Sequence, residues 1–447
     1  MSYTKEMTEG PSLPLILNFS IPLVLGNLLQ QTYSLIDAAI VGRFLGIDAL
    51  AAVGSSGSVI FLILGFCNGC TAGFSIPIAQ KFGARDYSTM RGLIATSLKL
   101  SAIMSASLAC ITSLMCPYIL HWMQTPDNIF QDAYLYLLIT FIGIPFTFYY
   151  NLLSCIIRAL GDSKTPFLFL LLSTILNVLM DLLFIMVFHW GVSGAAVATL
   201  FSQFVSALLC YRYMYRKYEI LHTSPDEWRF QGRLARQLLA IGTPMGLQFS
   251  ITAIGSIMLQ SANNALGTVC IAAFTAGIRI KMFFLFILES IGIAMATYCG
   301  QNYGAGKPTR IWQGIKSAAL IMIIYVLAVN LTIWNFAEEI TMLFIDASES
   351  VIIEKSAQFL HTSVTFFPLL GILSILRYSI QGIGYTRLAM FSGVSEMIAR
   401  ILVSLVAVPV WGFWAICFGD PTAWLFAVLF LIPSFIYVYK KALTTLQ

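Results

Sequence analysis

Charge is what this sequence has least of. Asp, Glu, Lys and Arg together make up 10% of its 447 residues, against about 25% in a soluble domain. Histidine is scarce too: His121, His189, His222 and His361 are scattered, and neither H-E-x-x-H nor G-x-S-x-G occurs. The residue patterns of an intramembrane hydrolase are therefore missing, and the chain does not read as an enzyme. The nine cysteines lie mostly within apolar runs. Cys67 and Cys70 form C-N-G-C inside one of them, where packing is expected, because redox chemistry or zinc binding wants an accessible loop. The net charge of +5 gathers on no soluble face, which argues against a nucleic-acid partner. The polar start MSYTKEMTEGPS leads into an apolar run without a small-residue cleavage site. That run reads as a retained helix, not a removed signal peptide.

What is abundant is hydrocarbon. Hydrophobic residues make up 58% of the chain, so its solvent is the lipid bilayer. A membrane span takes about 20 apolar residues. Such runs fall at 15–41, 51–80, 92–118, 133–157, 166–188, 193–214, 237–262, 268–299, 313–336, 352–376, 387–410 and 413–438. The expectation is an all-α membrane protein with twelve transmembrane helices. The loops RDYSTMR, RALGDSK, RKYEILHTSPDEWRFQGRLARQ, GAGKPTR and QGIGYTR fall on one side. With both termini they hold 20 of the 25 Lys and Arg, counting Lys99 and Lys316 just inside their spans. The other side holds only Arg43 and Lys355. The positive-inside rule makes the basic side, and both termini, cytoplasmic in a multi-pass protein of the plasma membrane.

The chain also repeats itself. AQKFGAR (79–85) and GQNYGAG (300–306) match at Gln80/Gln301, Gly83/Gly304 and Ala84/Ala305, all 221 residues apart. Leu45-Gly46 and Leu266-Gly267, Ala51-Ala52 and Ala272-Ala273, and Trp190-Gly191 and Trp411-Gly412 keep the same spacing. Pro22/Pro244 and Gly161/Gly384 drift by one or two residues. Six helices per repeat is an even number, so both halves enter the membrane the same way. The expectation is two six-helix bundles, 1–216 and 237–447, joined by a cytoplasmic loop at 217–236. They would be related by a pseudo-two-fold along the membrane normal, with the substrate path between them.

GQNYGAGK invites comparison with a phosphate-binding loop. A P-loop needs G-x-x-x-x-G-K-[ST] after a strand. Counting from Gly300 puts Ala305 where the second glycine belongs, and Pro308 follows the lysine. No nucleotide is expected, and the glycines read as a tight turn between helices.

The acids inside the spans carry the chemistry. In TILNVLMDLLFI, Asp181 and Asn177 sit one helical turn apart, and an ionisable group at membrane depth costs on the order of 3 kcal/mol. At 1.5 Å per residue, Asp181 lies about 12 Å inside its span from His189, Asp37 about 12 Å from Leu45, and Thr199 about 10 Å from Val192. Three helices of the first half thus bring polar groups to one layer, with Asn177 about one turn deeper. Two carboxylates, an amide oxygen and a hydroxyl suit Na⁺ or a held proton. Interhelical packing alone can use Thr or Asn but needs no carboxylate. Gln30 and Tyr33, seven and four residues before Asp37, and Asn151 in the fourth span are further candidates for lining a substrate cavity.

LGIDALAAVG after the first span, RALGDSKTP after the fourth and GQNYGAGK after the eighth resemble the multidrug and toxic compound extrusion (MATE) family over essentially the whole chain. The resemblance implies a cation-coupled antiporter working by alternating access, with Na⁺ or H⁺ as its coupling ion and no other cofactor. Its substrates would be small organic cations or amphipathic drugs. The branch like the DNA-damage-inducible proteins places an Asp in the first helix, an Asn–Asp pair in the fifth and a Thr in the sixth. Asp37, Asn177, Asp181 and Thr199 match them. Another branch has acids in the seventh and tenth spans, where this chain has GSIMLQSANN and SVTFFPLLG. Its second half carries Glu289, and Glu396 with Arg400 one turn on. These read as an ion-pair network or as a passage for substrate or protons. The 33 Phe, 17 Met and 19 Tyr permit a pliable, stacking cavity. A monomer is expected. The alternative within transport is a lipid-linked or polysaccharide flippase of the same superfamily; against it, such proteins often carry basic cavities, and this site is acidic.

Overall fold

In hydrocarbon every backbone N–H and C=O needs an internal partner, which leaves a chain of this composition the helix or the closed barrel. The computed structural model describes residues 6–446, and all regular structure among them is helical. Residues 1–5 and 447 lie outside the described residues, and with them the chain ends expected on the cytoplasmic side.

The first half runs α1 (Ser12–Leu45), α2 (Ile47–Gly83), α3 (Tyr87–Trp122), α4 (Asp127–Ile142), α5 (Ile144–Ala159), α6 (Lys164–Leu182) and α7 (Val192–Lys217). The second runs α8 (Gly232–Asn264), α9 (Thr268–Gly304), α10 (Pro308–Thr341), α11 (Ser350–Thr365), α12 (Phe367–Ile383) and α13 (Thr386–Leu402). The short α14 (Val408–Trp411) and α15 (Phe413–Cys417) then lead into α16 (Gly419–Leu446). Among the described residues ten helical stretches are long and apolar enough to cross a membrane, and the number is twelve when each of two bent pairs counts as one span.

Those pairs correct the reading of 133–157 and 352–376 as continuous spans. α4 meets α5 at 45° across Gly143, and α11 meets α12 at 48° across Phe366. The cause is in the sequence: Pro145 and Pro368 fall in the first turn of the following helix. Proline fits there but cannot donate to the turn before.

The repeat is written into the backbone. Gly46 and Gly267 have φ +92 and +98°, Gly191 and Gly412 +61 and +55°, and Arg85 and Gly306 +57 and +68°. Each pair is 221 residues apart. In the repeated Q-x-x-G-A loop, Ala84 N–H donates to Gln80 O and Ala305 N–H to Gln301 O, both at 2.9 Å. The turn expected of GQNYGAGK is thus a left-handed helix cap. That conformation strains a side chain such as Arg85 by about 1–2 kcal/mol and leaves Gly306 at ease. Each half also carries one π-helical turn, Leu183–Val187 after α6 and Val403–Ala407 after α13.

Packing divides the chain into two compact units that do not keep strictly to chain order. One holds Pro22–Gly246, with Glu6 paired to Arg85 at 2.9 Å; the other holds Met7–Ile21 and the chain from Leu247 onward. The first unit therefore includes the start of α8. There Gly69 and Gly73 of α2 let the backbone of Gly242–Gly246 come so close that a Cβ on Gly69 would meet Met245 O at 2.5 Å. Cys70 Sγ fills the gap on the other side, 2.6 Å from where a Gly246 Cβ would stand. Both C-N-G-C cysteines are buried thiols, and Cys70 lies in this contact. The second unit includes the start of α1. Met7 N–H donates to Gln301 Oε1 at 2.8 Å, Asn302 Nδ2 to Met7 O at 3.1 Å, and Arg310 Nη2 to Gly10 O at 2.8 Å.

Candidate functional site

Three elements of the first unit converge on one polar layer: α1 brings Tyr33 and Asp37, α6 brings Asn177 and Asp181, and α7 brings Thr199. Spacing on each helix explains the convergence. Tyr33 and Asp37 are four residues apart, as are Asn177 and Asp181, so each pair shares a helix face. Asp181 is fully buried and Asn177 nearly so. The carboxyl groups of Asp37 and Asp181 are near enough to interact directly. The Asn177 amide ties the rest together. Oriented to satisfy its neighbours, its nitrogen donates to Asp181 Oδ2 at 2.9 Å and to the Tyr33 hydroxyl at 3.2 Å. Its oxygen accepts from Thr199 N at 3.0 Å and Oγ1 at 3.2 Å; amide orientation is assigned here from bonding, as it must be. The Tyr33 hydroxyl also lies 3.1 Å from Thr199 Oγ1.

The layer is closed on one side by hydrocarbon. Ile40 and Val41, Ile185, and Val192 and Ala195 form one buried cluster. Ile40, Val41, Ile185 and Ala195 stand about one helical turn, and Val192 about two, from Asp37, Asp181 or Thr199, toward the end marked by Gly46 and Gly191. The π turn begins two residues after Asp181. Such bulges occur frequently at functional sites.

The structure brings Asp37, Asn177, Asp181, Thr199 and Tyr33 together, and leaves two other candidates apart. Gln30 is exposed. Asn151 Nδ2 donates instead to Asn68 Oδ1 at 2.6 Å, pairing α5 with α2. Tyr136 on α4 went unnoticed in the sequence; it packs against the hydrocarbon cluster and interacts electrostatically with both acids. Its only signal is a tyrosine within an apolar run, one of many.

In the second unit Glu396 and Arg400 do meet, Oε2 to Nη1 at 3.5 Å, but each has a closer partner. Arg377 of α12 pairs with Glu396, and Arg400 Nε donates to Asp420 Oδ1 of α16 at 2.9 Å. Lys281 of α9, nearly fully buried, holds the other Asp420 oxygen. The result is a chain of five charges on four helices. Glu289 stands outside it: its partner is the Tyr378 hydroxyl, 3.4 Å away. Lys281, Arg377 and Asp420 were invisible as members, since their partners lie 139, 19 and 20 residues off and no period connects them.

Comparison with known proteins agrees with the fold. "Probable multidrug resistance protein YpnP" of Bacillus subtilis (strain 168) is 29% identical over 379 residues, 85% of this chain and 84% of its own. "Probable multidrug resistance protein YoeA" of the same organism is 28% identical, covering 95% and 93%. A solved structure described as the outward-facing conformation of a multidrug resistance MATE family transporter of the MOP superfamily superimposes with a TM-score of 0.90. It does so over 99% of this chain and 98% of the other, at 24% identity. The MatE family profile matches twice, at residues 22–183 and 244–406, once in each half. With that double match lying over a repeat already visible in its glycines, the chain belongs to the MatE family, the MATE transporters.

Proposed function

We propose that this chain is a secondary antiporter that exports amphipathic organic cations in exchange for Na⁺ or a proton bound at Asp37, Asn177, Asp181 and Thr199. One observation carries the reading: two carboxyl groups face each other in a buried layer, with an amide and a hydroxyl around them. Asp37 and Asp181 each keep a buried oxygen, Oδ1, without a hydrogen-bond partner among the described residues. Two adjacent carboxylates in low dielectric repel strongly unless a cation or a shared proton stands between them. The two open carboxyl oxygens are hard donors, which suits Na⁺ equally. The names of the relatives support drugs as substrates. The four residues also favour the branch like the DNA-damage-inducible proteins.

Export follows from coupling. The ion relieves the repulsion in the acid layer and lets α1, α6 and α7 pack more closely, which disfavours the drug-bound state. The drug must in turn weaken ion binding by the same factor. The chain acts as a monomer in the plasma membrane, its basic loops cytoplasmic.

Proteoliposome efflux under separately imposed Na⁺ and proton gradients tests this and selects the ion. Efflux driven by neither gradient would remove the antiport reading.

A further inference from the structure

Resting on the export reading, we propose that Glu289 is a second cation-recognising carboxylate, in the second unit, which holds the positive charge of the transported organic cation rather than the coupling ion. Charge balance makes the first argument. The chain of ion pairs contains Lys281, Arg377 and Arg400 against Asp420 and Glu396, three positive charges to two negative, a net +1. Asp420 and Glu396 each touch two of these cations. Glu289 has none within 4 Å among the described residues, although Arg377 is close enough to act on it electrostatically. An acidic group inside a membrane helix without a cationic partner is costly and marks a functional place, one where a cation can bind.

Position makes the second. Glu289 lies 21 residues into the 37-residue α9, far from either end. Gly292, one turn on, has no side chain, and the Tyr378 ring occupies that space: a Cβ there would stand 2.3 Å from Tyr378 Cδ2. The ring thus lies flat on α9 with its hydroxyl turned toward Glu289. Tyr378 is the positioning residue.

The surroundings make the third. Met282 and Phe286, seven and three residues before Glu289, share its helix face, and all three are half-buried. Thioether and aromatic ring form a deformable wall for an amphipathic body, and the ring face favours positive charge. A carboxylate beside such a wall fits a lipophilic monovalent cation.

The test uses two probes of similar shape, tetraphenylphosphonium and neutral triphenylphosphine oxide, binding to the purified full-length protein. Glu289→Gln should weaken the cation by at least about tenfold, since it removes a charged partner, and leave the neutral probe within about twofold. Tyr378→Phe should weaken the cation alone, by a smaller factor, and covers the case in which Glu289→Gln fails to fold. Glu289→Asp should recover part of the lost affinity. Unchanged cation affinity in Glu289→Gln, or an equal loss for both probes, overturns the proposal. Asp181→Asn separates it from the coupling site: loss of ion dependence there with Glu289→Gln silent would leave export standing and remove Glu289. Wild-type protein binding neither probe would remove both.

Discussion

Thr199 and Asp420 occupy the same place in the two repeats. Each lies eight residues after a left-handed glycine, Gly191 or Gly412, and each points into the polar layer of its own unit. One repeat offers a hydroxyl among carboxyls; the other offers a carboxylate held by Lys281 and Arg400. The scaffold was duplicated and the charges were not. That asymmetry supports the proposal that ion exchange belongs to the first unit.

Asp181→Asn should abolish ion-driven efflux from proteoliposomes while leaving the protein folded and inserted, since the amide keeps the shape and its nitrogen can still bond. Wild-type rates in that variant would move the coupling site elsewhere. Thr199→Ala should be milder, weakening ion dependence by about threefold to tenfold, as expected for one neutral hydrogen-bonding ligand.

Lys281→Met should be among the most damaging single changes in the second unit. It strands part of the charge on buried Asp420, and breaking a buried pair costs about 3–5 kcal/mol. Lys281→Met with Asp420→Asn should recover part of that loss, because no carboxylate is then left short of a partner. Thermal unfolding of the two purified variants in detergent compares them; equal melting temperatures would argue against the pairing.

Gly246→Val should loosen the first unit, because a Cβ there meets Cys70 Sγ at 2.6 Å and Phe66 O at 2.9 Å. Overpacking of this kind costs about 1–3 kcal/mol, visible as a lowered melting temperature. Gly54→Ala, with nothing within 4 Å of the added carbon, is the control and should be neutral or slightly stabilising.

The linker should resist acid. Arg91 grips Glu227 through Nε at 2.8 Å and Nη2 at 2.7 Å, and this bond holds the Glu227 carboxyl down to about 2. A lowered carboxyl contributes stability fully above its unfolded range, near 4.3, and loses it as the pH falls toward the folded value. Limited pepsin digestion should therefore leave residues 219–231 intact at pH 4 and cut them as the pH approaches 2. Glu227→Gln should be cut at both.

Orientation can be read one residue away. The side chain of Asp226 is 86% exposed, so a thiol placed there disturbs little. In a background lacking Cys110, the one exposed cysteine among the nine, Asp226→Cys should react with an impermeant maleimide only after the membrane is opened. Labelling of intact cells would reverse the topology.

The sequence made legible whatever depends on local composition or on a fixed period. Apolar runs gave the helices, and the 221-residue spacing located turns that share positive φ. Four-residue spacing put Asp181 with Asn177 and Asp37 with Tyr33. Even the bends at Gly143 and Phe366 have their signal in Pro145 and Pro368, masked by the apolar runs that continue across them. Contacts between distant helices were a different matter. Nothing near Lys281 names Asp420 as its partner, and one helical turn suggested that Glu396 and Arg400 serve each other, when Arg377 and Asp420 are their closer partners. Gln30 shares a helix face with Asp37 over seven residues and is nonetheless exposed, because a shared face does not fix depth along the helix.

Residues 7–10 bond to Gln301, Asn302 and Arg310, and this bears on how the protein is made. At about 5–20 residues per second, the ribosome needs about 15–60 s to travel the 294 residues from Met7 to Gln301. For that interval the segment just before the first helix has been synthesised but lacks these partners. Membrane insertion of this chain thus begins with an end that must be kept waiting, and a nascent chain stopped before Gln301 should leave residues 7–10 open to protease.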